Sequence, residues 1–516
     1  MQTEKEYTVA REIRSLRCES VGEYSLPDYN GDVKKVLLVK ADVYPAGKFV
    51  GDDTLEFSGA VGYEIVYVDG ENNITHAEFS TDYDAAVRVN SENYLDSDIK
   101  TSVLSCNMRL IGPRKLSVKC SLDNTVRINE KRVYSIDGDA FLNYEPEFIS
   151  ESASIFTSEF GTGEMREINE EILAVDGAIA DEIEVLLTDI TPCVDVVNKT
   201  GGTAELKGVL RVNALYRNGE SELKTTEAEI GFSEEVALDA AYEFDDLDVR
   251  VDMANKKVSV VPTEDGVSVT LSLNATPKIY GRKNSSFELV ADSYLKERGS
   301  ENEHSDFGYI EYACTSSDEV SFEYRSELGE GDLSGDFEII YTDAAAKVEE
   351  CDFADNSVKI LGEIKFNAIA CQVSEEGVRT YTPIKITAPF SNNVNINCQK
   401  WGNMHTDCSV CAKDAKMDVA NGEVVVTCDL AFAVNVYFDR SKRALVASYV
   451  TEEEYSHDDS LVSVYYPDAS ETLFGIAKKF HTSVGAIASA NRLSESVFAS
   501  SCEPINDVGV RKLLIK

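Results

Sequence analysis

Apolar and polar residues alternate along three stretches of the chain that resemble one another. They run SGAVGYEIVYVDG from Ser58, KGVLRVNALYRNG from Lys207 and LGEIKFNAIACQV from Leu361. In each stretch a glycine is followed by apolar residues at alternate positions, which predicts a β-strand with one buried face. The first two stretches end in Asp-Gly and Asn-Gly, dipeptides that favour a tight hairpin turn.

These stretches belong to a longer internal repeat with three landmarks in a fixed order. The opening glycines, Gly59, Gly208 and Gly362, are 149 and 154 residues apart. Each returning strand ends in Phe-Ser, and a further alternating strand (LSVKCSL, VSVTLSL or VVVTCDL) begins 37, 35 or 34 residues later. Landmarks that recur at near-constant spacing indicate three copies of one unit of about 150 residues.

Strand patterns dominate every copy, so we predict a mostly β fold of tandem antiparallel β-sandwich-like repeats. A pair of smaller β-subdomains within each unit is the alternative. The predicted units cover residues 1–150, 151–315 and 316–455, and a different module covers residues 460–516. The polar stretches Glu145–Glu164 and Gly299–Asp306 are interpreted as linkers between units.

The terminal module shows helical spacing in place of alternation. Its predicted elements are a strand at Val462–Tyr466, a helix after Ser470-Glu471-Thr472, a second helix from Thr482-Ser483 to Asn491, and a strand at Lys512–Ile515. Serine and threonine favour the start of a helix, and apolar residues recur every three or four positions from Leu473 to Phe480. We therefore predict a small β-α-α-β domain.

This module resembles the LysM family. The pairs Thr472-Leu473 and Ile476-Ala477, then Phe480, Ile487 and Asn491-Arg492-Leu493, match the family pattern in order and spacing. The resemblance implies a ligand groove between the loop before the first helix and the turn after the second. Its binding residues would be Ser470, Glu471, Thr472, Asn491, Arg492 and Leu493. For Thr472 and Asn491, helix capping is the alternative role.

Two features of the module depart from the LysM pattern. Ser470 and Glu471 stand where the family has glycine and aspartate, and the stretch from Ser494 to Asp507 is longer than is typical. Ser470 and Glu471 lie where the glycan groove should be. They shift the expected ligand from peptidoglycan, which stays the alternative, towards a protein.

The repeat resembles a family as well. LPDYNGDV from Leu26, the strand KKVLLVKADV and the glycine-led hairpin are similar to the SPOCS domain of clostridial spore-coat proteins of the SipL family, in which a LysM domain also follows. The resemblance implies a scaffold made in the mother-cell cytoplasm and placed at the forespore surface. Its implied partner is a coat-basement ATPase-type morphogenetic protein or another spore coat protein.

Charge and hydropathy exclude several other functions. The 92 acidic residues against 49 basic ones give a net charge of −43, which argues against a nucleic-acid partner. No apolar run is long enough for a membrane helix, so membrane insertion is not expected. The start, MQTEKEYTVAREIRSLRCES, lacks the apolar core of a secretory signal, so we expect no signal peptide. The acidic surface either keeps the protein soluble or selects a basic partner.

Catalytic and metal chemistry find little support in the sequence. It contains no G-x-S-x-G, H-E-x-x-H or P-loop motif, and only five histidines, so we predict neither an enzyme nor a cofactor. Cys398, His405, Cys408 and Cys411 form a C-x6-H-x2-C-x2-C segment, but a single C-x2-C pair is a weak zinc motif. We interpret the segment as a strand with incidental thiols. The twelve cysteines of the sequence are expected to be reduced thiols. The single tryptophan, Trp401, is interpreted as a loop residue packed on its own domain.

Overall fold

The computed structural model is built almost entirely from antiparallel strands. It describes residues 4–28, 30–219, 222–238, 243–327, 337–354, 356–398, 402–420, 423–456, 462–493, 504–505 and 511–515. The mostly β fold with a terminal β-α-α-β domain is confirmed. The strands recur in the order that the internal repeat predicts.

The elements fall into three sets of strands and a terminal module. The first set comprises β1 (Glu4–Ser25), β2 (Val33–Val43), β3 (Gly47–Gly51), β4 (Thr54–Asp69), β5 (Ile74–Arg88), β6 (Tyr94–Gly112) and β7 (Lys115–Ser135), followed by helix α1 (Ala140–Asn143). The second comprises β8 (Glu147–Thr162), β9 (Arg166–Asp176), β10 (Ile183–Thr200), β11 (Thr203–Asn218), β12 (Glu222–Ala237), β13 (Asp246–Pro262) and β14 (Gly266–Tyr294). The third comprises β15 (Arg298–Glu327), β16 (Glu338–Ala354), β17 (Ser357–Val373), β18 (Arg379–Asn395), β19 (Met404–Ala420) and β20 (Glu423–Glu454). The terminal module contains β21 (Ser463–Tyr465), α2 (Leu473–Lys479), α3 (Val484–Asn491) and β22 (Leu513–Ile515).

Each set of strands folds into two antiparallel sheets with the same connectivity. In the first set, β7 lies between β1 and β6, while β4 pairs with β2, β3 and β5. The other sets repeat this order as β8-β14-β13 with β10-β11-β12, and as β15-β20-β19 with β16-β17-β18. The glycine-led stretch is the central strand of one sheet, and the later alternating strand is the central strand of the other.

A separate apolar core fills the space between the two sheets of each unit. In the first unit, Leu55, Phe57 and Tyr63 of β4 meet Val118 and Leu122 of β7. All five side chains are almost fully buried, and burying a large apolar side chain stabilises a fold by about 1.5–3 kcal/mol. Corresponding residues form the cores of the second and third units, so each unit is a β-sandwich.

The three sandwiches close into a ring, because each one contacts the other two. A β-bulge interrupts the same pairing in each unit, between Val36 and Leu38, Val185 and Leu187, and Ile339 and Tyr341. A bulge allows two consecutive side chains to face the same way. The bulged residues meet in one buried apolar cluster, here called the axial cluster, of Leu37, Leu38, Val66, Ile74, Leu186, Leu187, Leu215, Leu223, Tyr341, Ile369, Cys371 and Tyr381.

Charged residues also meet inside the ring, at positions equivalent in the repeat. Lys40, Asp189 and Asp343 lie 149 and 154 residues apart, as the opening glycines do, and each pairs across its sheet with an equivalent residue. The Lys40 ammonium forms an ion pair with Asp189, and Asp343 lies close enough to stabilise its charge. A polar cavity of about 1030 Å³ lies between the three units, with Arg127, Arg282 and Asp407 in its wall.

Two details of the sequence interpretation are wrong. The stretches Glu145–Glu164 and Gly299–Asp306 are not linkers, since most of the first forms β8 and the second lies in β15. The loop after Asp69 has four residues rather than two, because the Asp69 carboxylate accepts hydrogen bonds from the backbone N–H of Glu71 and Asn73. The limits of the units stay a prediction, although the positions 150/151 and 315/316 fall inside β8 and β15.

Candidate functional site

The terminal module packs two helices on a two-stranded antiparallel sheet. Val464 of β21 lies opposite Leu514 of β22. Leu473, Ile476 and Ile487 of the helices are buried against Leu513 and Ile515, which forms a small apolar core. The module therefore has the predicted β-α-α-β order.

Each helix begins at a hydroxyl residue that caps it. The Thr472 hydroxyl accepts a hydrogen bond from the backbone N–H of Gly475, at 3.0 Å. The Ser483 hydroxyl accepts one from the N–H of Ala486, also at 3.0 Å. These bonds satisfy N–H groups that have no partner within the helix. Thr472 therefore has the capping role, with its hydroxyl already occupied.

Replacing Thr472 by alanine should destabilise the module by about 1 kcal/mol, because the first turn of α2 loses its cap. The measurement is hydrogen exchange of the amides in residues 472–480, followed by mass spectrometry. Thr472→Ser is the matched control, since serine keeps the hydroxyl and should exchange as the original protein does. Equal protection of these amides from exchange in Thr472→Ala and Thr472→Ser would show that the cap does not stabilise the helix.

The Glu471 carboxylate is held inside the module. It accepts hydrogen bonds from the Tyr465 hydroxyl at 2.8 Å and from the backbone N–H of Asp468 at 2.9 Å, and it pairs with Lys479 at 3.4 Å. Partial burial opposes ionisation, but these donors outweigh it and hold the pKa of Glu471 below its ordinary value. Glu471 therefore acts as an ionised link between β21 and α2.

Asn491 joins α3 to the last strand. Its side-chain amide donates to the carbonyls of Ile487 at 2.9 Å and Leu514 at 2.7 Å, and its oxygen accepts from the N–H of Leu514 at 2.7 Å. Arg492 follows in the left-handed conformation, with φ of 55°, and is exposed. Leu493 packs partly against the core of the module, whereas Ser470 is exposed. Of the six predicted groove residues, Ser470 and Arg492 are the exposed ones.

A later part of the chain packs against the loop before the first helix, which would border the groove on one side. The backbone N–H of Ile505 donates to the carbonyl of Glu471 at 2.8 Å, and Thr472 forms a β-bridge with Pro504. The Ile505 side chain is 1% exposed and belongs to the core of the module. The sequence analysis missed this contact. The only indication of it was the unusual length of the stretch that follows Leu493.

The module is also fixed to the ring of sandwiches. At the end of β14, the Tyr294 hydroxyl donates to the carbonyl of Thr482 at 2.6 Å, and its ring packs edge-on against Phe474. Lys478 forms an ion pair with Asp292 at 2.6 Å. Tyr294 is 2% exposed, so this contact is a buried interface. The module is consequently packed against the second sandwich.

An apolar patch covers the outer side of the module. It consists of Val464 (55% exposed) and Leu514 (40%), which lie side by side on β21 and β22, together with Val462 (52%) and Tyr466 (71%). Exposed apolar residues that cluster in this way are typical of interaction surfaces. This group of four residues is called the outer patch below.

The structure does not bring the four residues of the cysteine–histidine segment together. Cys398 lies against Cys314, and Cys408 lies against Cys351. His405 stacks on Tyr437, and Cys411 is exposed. Within the described ranges, no group of three or more His, Cys, Asp or Glu side chains has the geometry of a metal site. Trp401 lies outside the described residues.

Comparison with known families identifies two domains. Residues 181–261 match the family described as SipL, SPOCS domain, and residues 469–497 match the LysM domain family. The first match covers β10 to β12 and nearly all of β13 in the second sandwich, and the second covers both helices of the module. Both are non-catalytic binding domains, and LysM domains are peptidoglycan-binding. No curated protein and no solved structure matches the chain.

Residues 181–261 thus resemble the SPOCS domain of the SipL family and residues 469–497 the LysM domain, a combination that fits a sporulation and spore-coat context. None of the helices in the described part of the chain is both long and apolar enough to cross a membrane.

Proposed function

We propose that this chain, which joins a SPOCS domain to a LysM domain, is a non-catalytic scaffold in assembly of the spore envelope. The scaffold docks onto a partner protein through its LysM domain. The proposed partner is a coat-basement ATPase-type morphogenetic protein or another spore coat protein, met at the forespore surface in the mother-cell cytoplasm. The single observation that carries this proposal is the hydrogen bond between Ile505 and Glu471, which occupies one border of the predicted groove.

This contact favours a protein ligand over a glycan. A glycan ligand would hydrogen-bond to polar groups of the bordering loops. Here the carbonyl of Glu471 binds Ile505, its carboxylate binds Tyr465, and the side chain of Asn491 binds Leu514. Polar groups that already have partners gain little from a sugar hydroxyl.

The outer patch supplies an alternative contact surface on the same domain. Its side chains are apolar and close together, and protein interfaces are built around such anchors, with tyrosine favoured among them. The exposed groove residues Ser470 and Arg492 would lie at the rim of the contact. We propose that the outer patch is the centre of the protein interface.

Peptidoglycan binding is the second candidate function, and the LysM family match favours it. In that case the ligand would contact Ser470 and Arg492, the exposed members of the predicted groove. The acidic chain, with net charge −43, would carry little non-specific attraction for the anionic wall.

Two binding measurements on the full chain separate the candidates. Purified protein is sedimented with peptidoglycan, and its affinity for the purified coat-basement ATPase is measured by biolayer interferometry. We expect no sedimentation and a measurable affinity, which Val464→Asp weakens at least about tenfold. Val373→Asp, at a similarly exposed valine (61%) on the third sandwich, is the control and should bind normally.

The glycan candidate predicts the opposite pattern. Protein would sediment with peptidoglycan, Ser470→Trp at the groove rim would abolish sedimentation, and Val464→Asp would leave it unchanged. That result would overturn the protein-docking proposal.

A further inference from the structure

Four cysteines border the core of the third sandwich in two facing pairs. Cys314 of β15 and Cys398 after β18 form one pair, and Cys351 of β16 and Cys408 of β19 form the other. In both pairs one cysteine comes from the β15-β20-β19 sheet and the other from the β16-β17-β18 side of the sandwich. We propose that these pairs are two latent disulfide sites, which join the two layers of the third sandwich when the surroundings become oxidising.

The first pair is close to bonding distance. The Cys314 thiol donates a hydrogen bond to Cys398, with the two sulfurs 3.4 Å apart. A disulfide holds its sulfurs about 2.0 Å apart, so the side chains need to approach by about 1.4 Å. Cys398 lies three residues beyond the end of β18, outside the paired residues of that sheet.

The second pair lies between β16 and β19, two strands that pack on each other, and both cysteines border the same apolar core. A hydrogen bond from Cys351 lowers the pKa of Cys408, against the opposing effect of burial. The same interaction, together with burial, raises the pKa of Cys351. Since the thiolate is the nucleophile in disulfide exchange, Cys408 is the sulfur that reacts first.

The chemistry needs an oxidant, for which a low-molecular-weight disulfide is sufficient. The Cys408 thiolate attacks one sulfur of this disulfide, forms a mixed disulfide and releases one thiolate. The Cys351 sulfur, after losing its proton to solvent, attacks the protein sulfur of the mixed disulfide and releases the second thiolate. Two protein thiols are oxidised and one small disulfide is reduced to two thiols.

A third facing pair shows why the location matters. Cys106 and Cys120 lie directly opposite each other on β6 and β7, which are already hydrogen-bonded neighbours in one sheet. A bond there would join only adjacent strands. The proposed bonds close loops across the sandwich, of 84 residues for Cys314–Cys398 and 57 residues for Cys351–Cys408. Larger loops remove more entropy from the unfolded chain.

The test is to oxidise the full chain with oxidised glutathione and to map linked peptides under non-reducing conditions. We expect the linkages Cys314–Cys398 and Cys351–Cys408, and a rise of about 5 °C or more in the melting midpoint. Cys398→Ser should remove the first linkage alone, and Cys408→Ser the second alone. Cys411→Ser, at the exposed cysteine of the same segment, should change neither linkage.

Two results would overturn the proposal. The four thiols could stay free, or carry only glutathione, while the folded protein is exposed to oxidant. Alternatively, Cys314 or Cys408 could link to a cysteine other than its facing partner. Neither result depends on what the LysM domain binds, so the disulfide proposal and the proposed function fail separately.

Discussion

Replacing Arg282 by methionine is expected to lower the free energy of unfolding by about 3–5 kcal/mol. The side chain is 2% exposed and lies between units of the ring. Its guanidinium pairs with Asp246 at 2.5 Å and with Asp248 at 3.6 Å, and it stacks on the ring of Tyr280. Methionine fills a similar volume but removes the positive partner of Asp246 and one of two positive partners of Asp248, which also pairs with Arg127. Losing one member of a buried ion pair in this way is costly.

The loss of unfolding free energy caused by Arg282→Met should also depend on pH. Burial raises the pKa of Asp248, but Arg127 and Arg282 outweigh it, so the pKa lies below its ordinary value. A carboxyl group with a lowered pKa stabilises the fold above its unfolded pKa, and this contribution is lost as the pH falls through the folded value. The difference between Arg282→Met and the original protein should therefore shrink in acid.

Thermal unfolding and hydrogen exchange would test this expectation. The control is Arg325→Met, because Arg325 is 59% exposed and pairs with the nearby exposed Glu323. Exposed pairs contribute about 0–1 kcal/mol, so the control should melt close to the original protein. If both variants melted at the same temperature, the buried ion pair would contribute no more to stability than the exposed one.

Replacing Lys40 by methionine is expected to be similarly destabilising, by about 3–5 kcal/mol, whereas Asp343→Asn should be neutral or stabilising. Lys40 is the positive charge in a triplet with Asp189 and Asp343. Without it, two partly buried carboxylates lose the positive charge that stabilises their ionised forms. Asparagine at position 343 keeps the shape and removes one of those negative charges.

The pH dependence distinguishes these two variants. Burial is the main cause that raises the pKa of Asp343, and Lys40 only partly offsets it. A carboxyl group with a raised pKa destabilises the fold when ionised, and this cost is absent below the unfolded pKa. The gain from Asp343→Asn should therefore grow as the pH rises through the raised pKa of Asp343. Urea unfolding between about pH 4 and pH 8 would measure it, and a gain that grows towards acid would contradict the assigned cause.

Much of the sandwich architecture is predictable from the sequence, because alternation and spacing are local properties. The glycine-led strands at Gly59, Gly208 and Gly362 and the later alternating strands all occur where the pattern places them. The ring is not predictable in this way. It depends on bulges at Leu37, Leu186 and Ile340, and nothing in an apolar run distinguishes a bulged residue from a paired one.

In the terminal module, too, local features are predictable from the sequence and long-range contacts are not. The caps at Thr472 and Ser483 follow from local chemistry and were predictable. The contacts of Ile505 with Glu471 and of Tyr294 with Thr482 join residues 34 and 188 positions apart. Long-range pairings of this kind depend on how whole domains meet. The polar linkers were misplaced for a related reason, since the exposed face of a long strand is as polar as a loop.

A ring closed within one chain has a consequence for how partners are counted. Three separate copies of a one-sandwich subunit would build a symmetric trimer, and each copy would carry its own terminal domain. Here three sandwiches share a single terminal domain, fixed to the second of them by Tyr294. Under the proposed docking, the terminal domain is the attachment point of the assembly and gives it a defined direction. A layer built from such chains would recruit one partner for every three sandwiches, all with the same orientation.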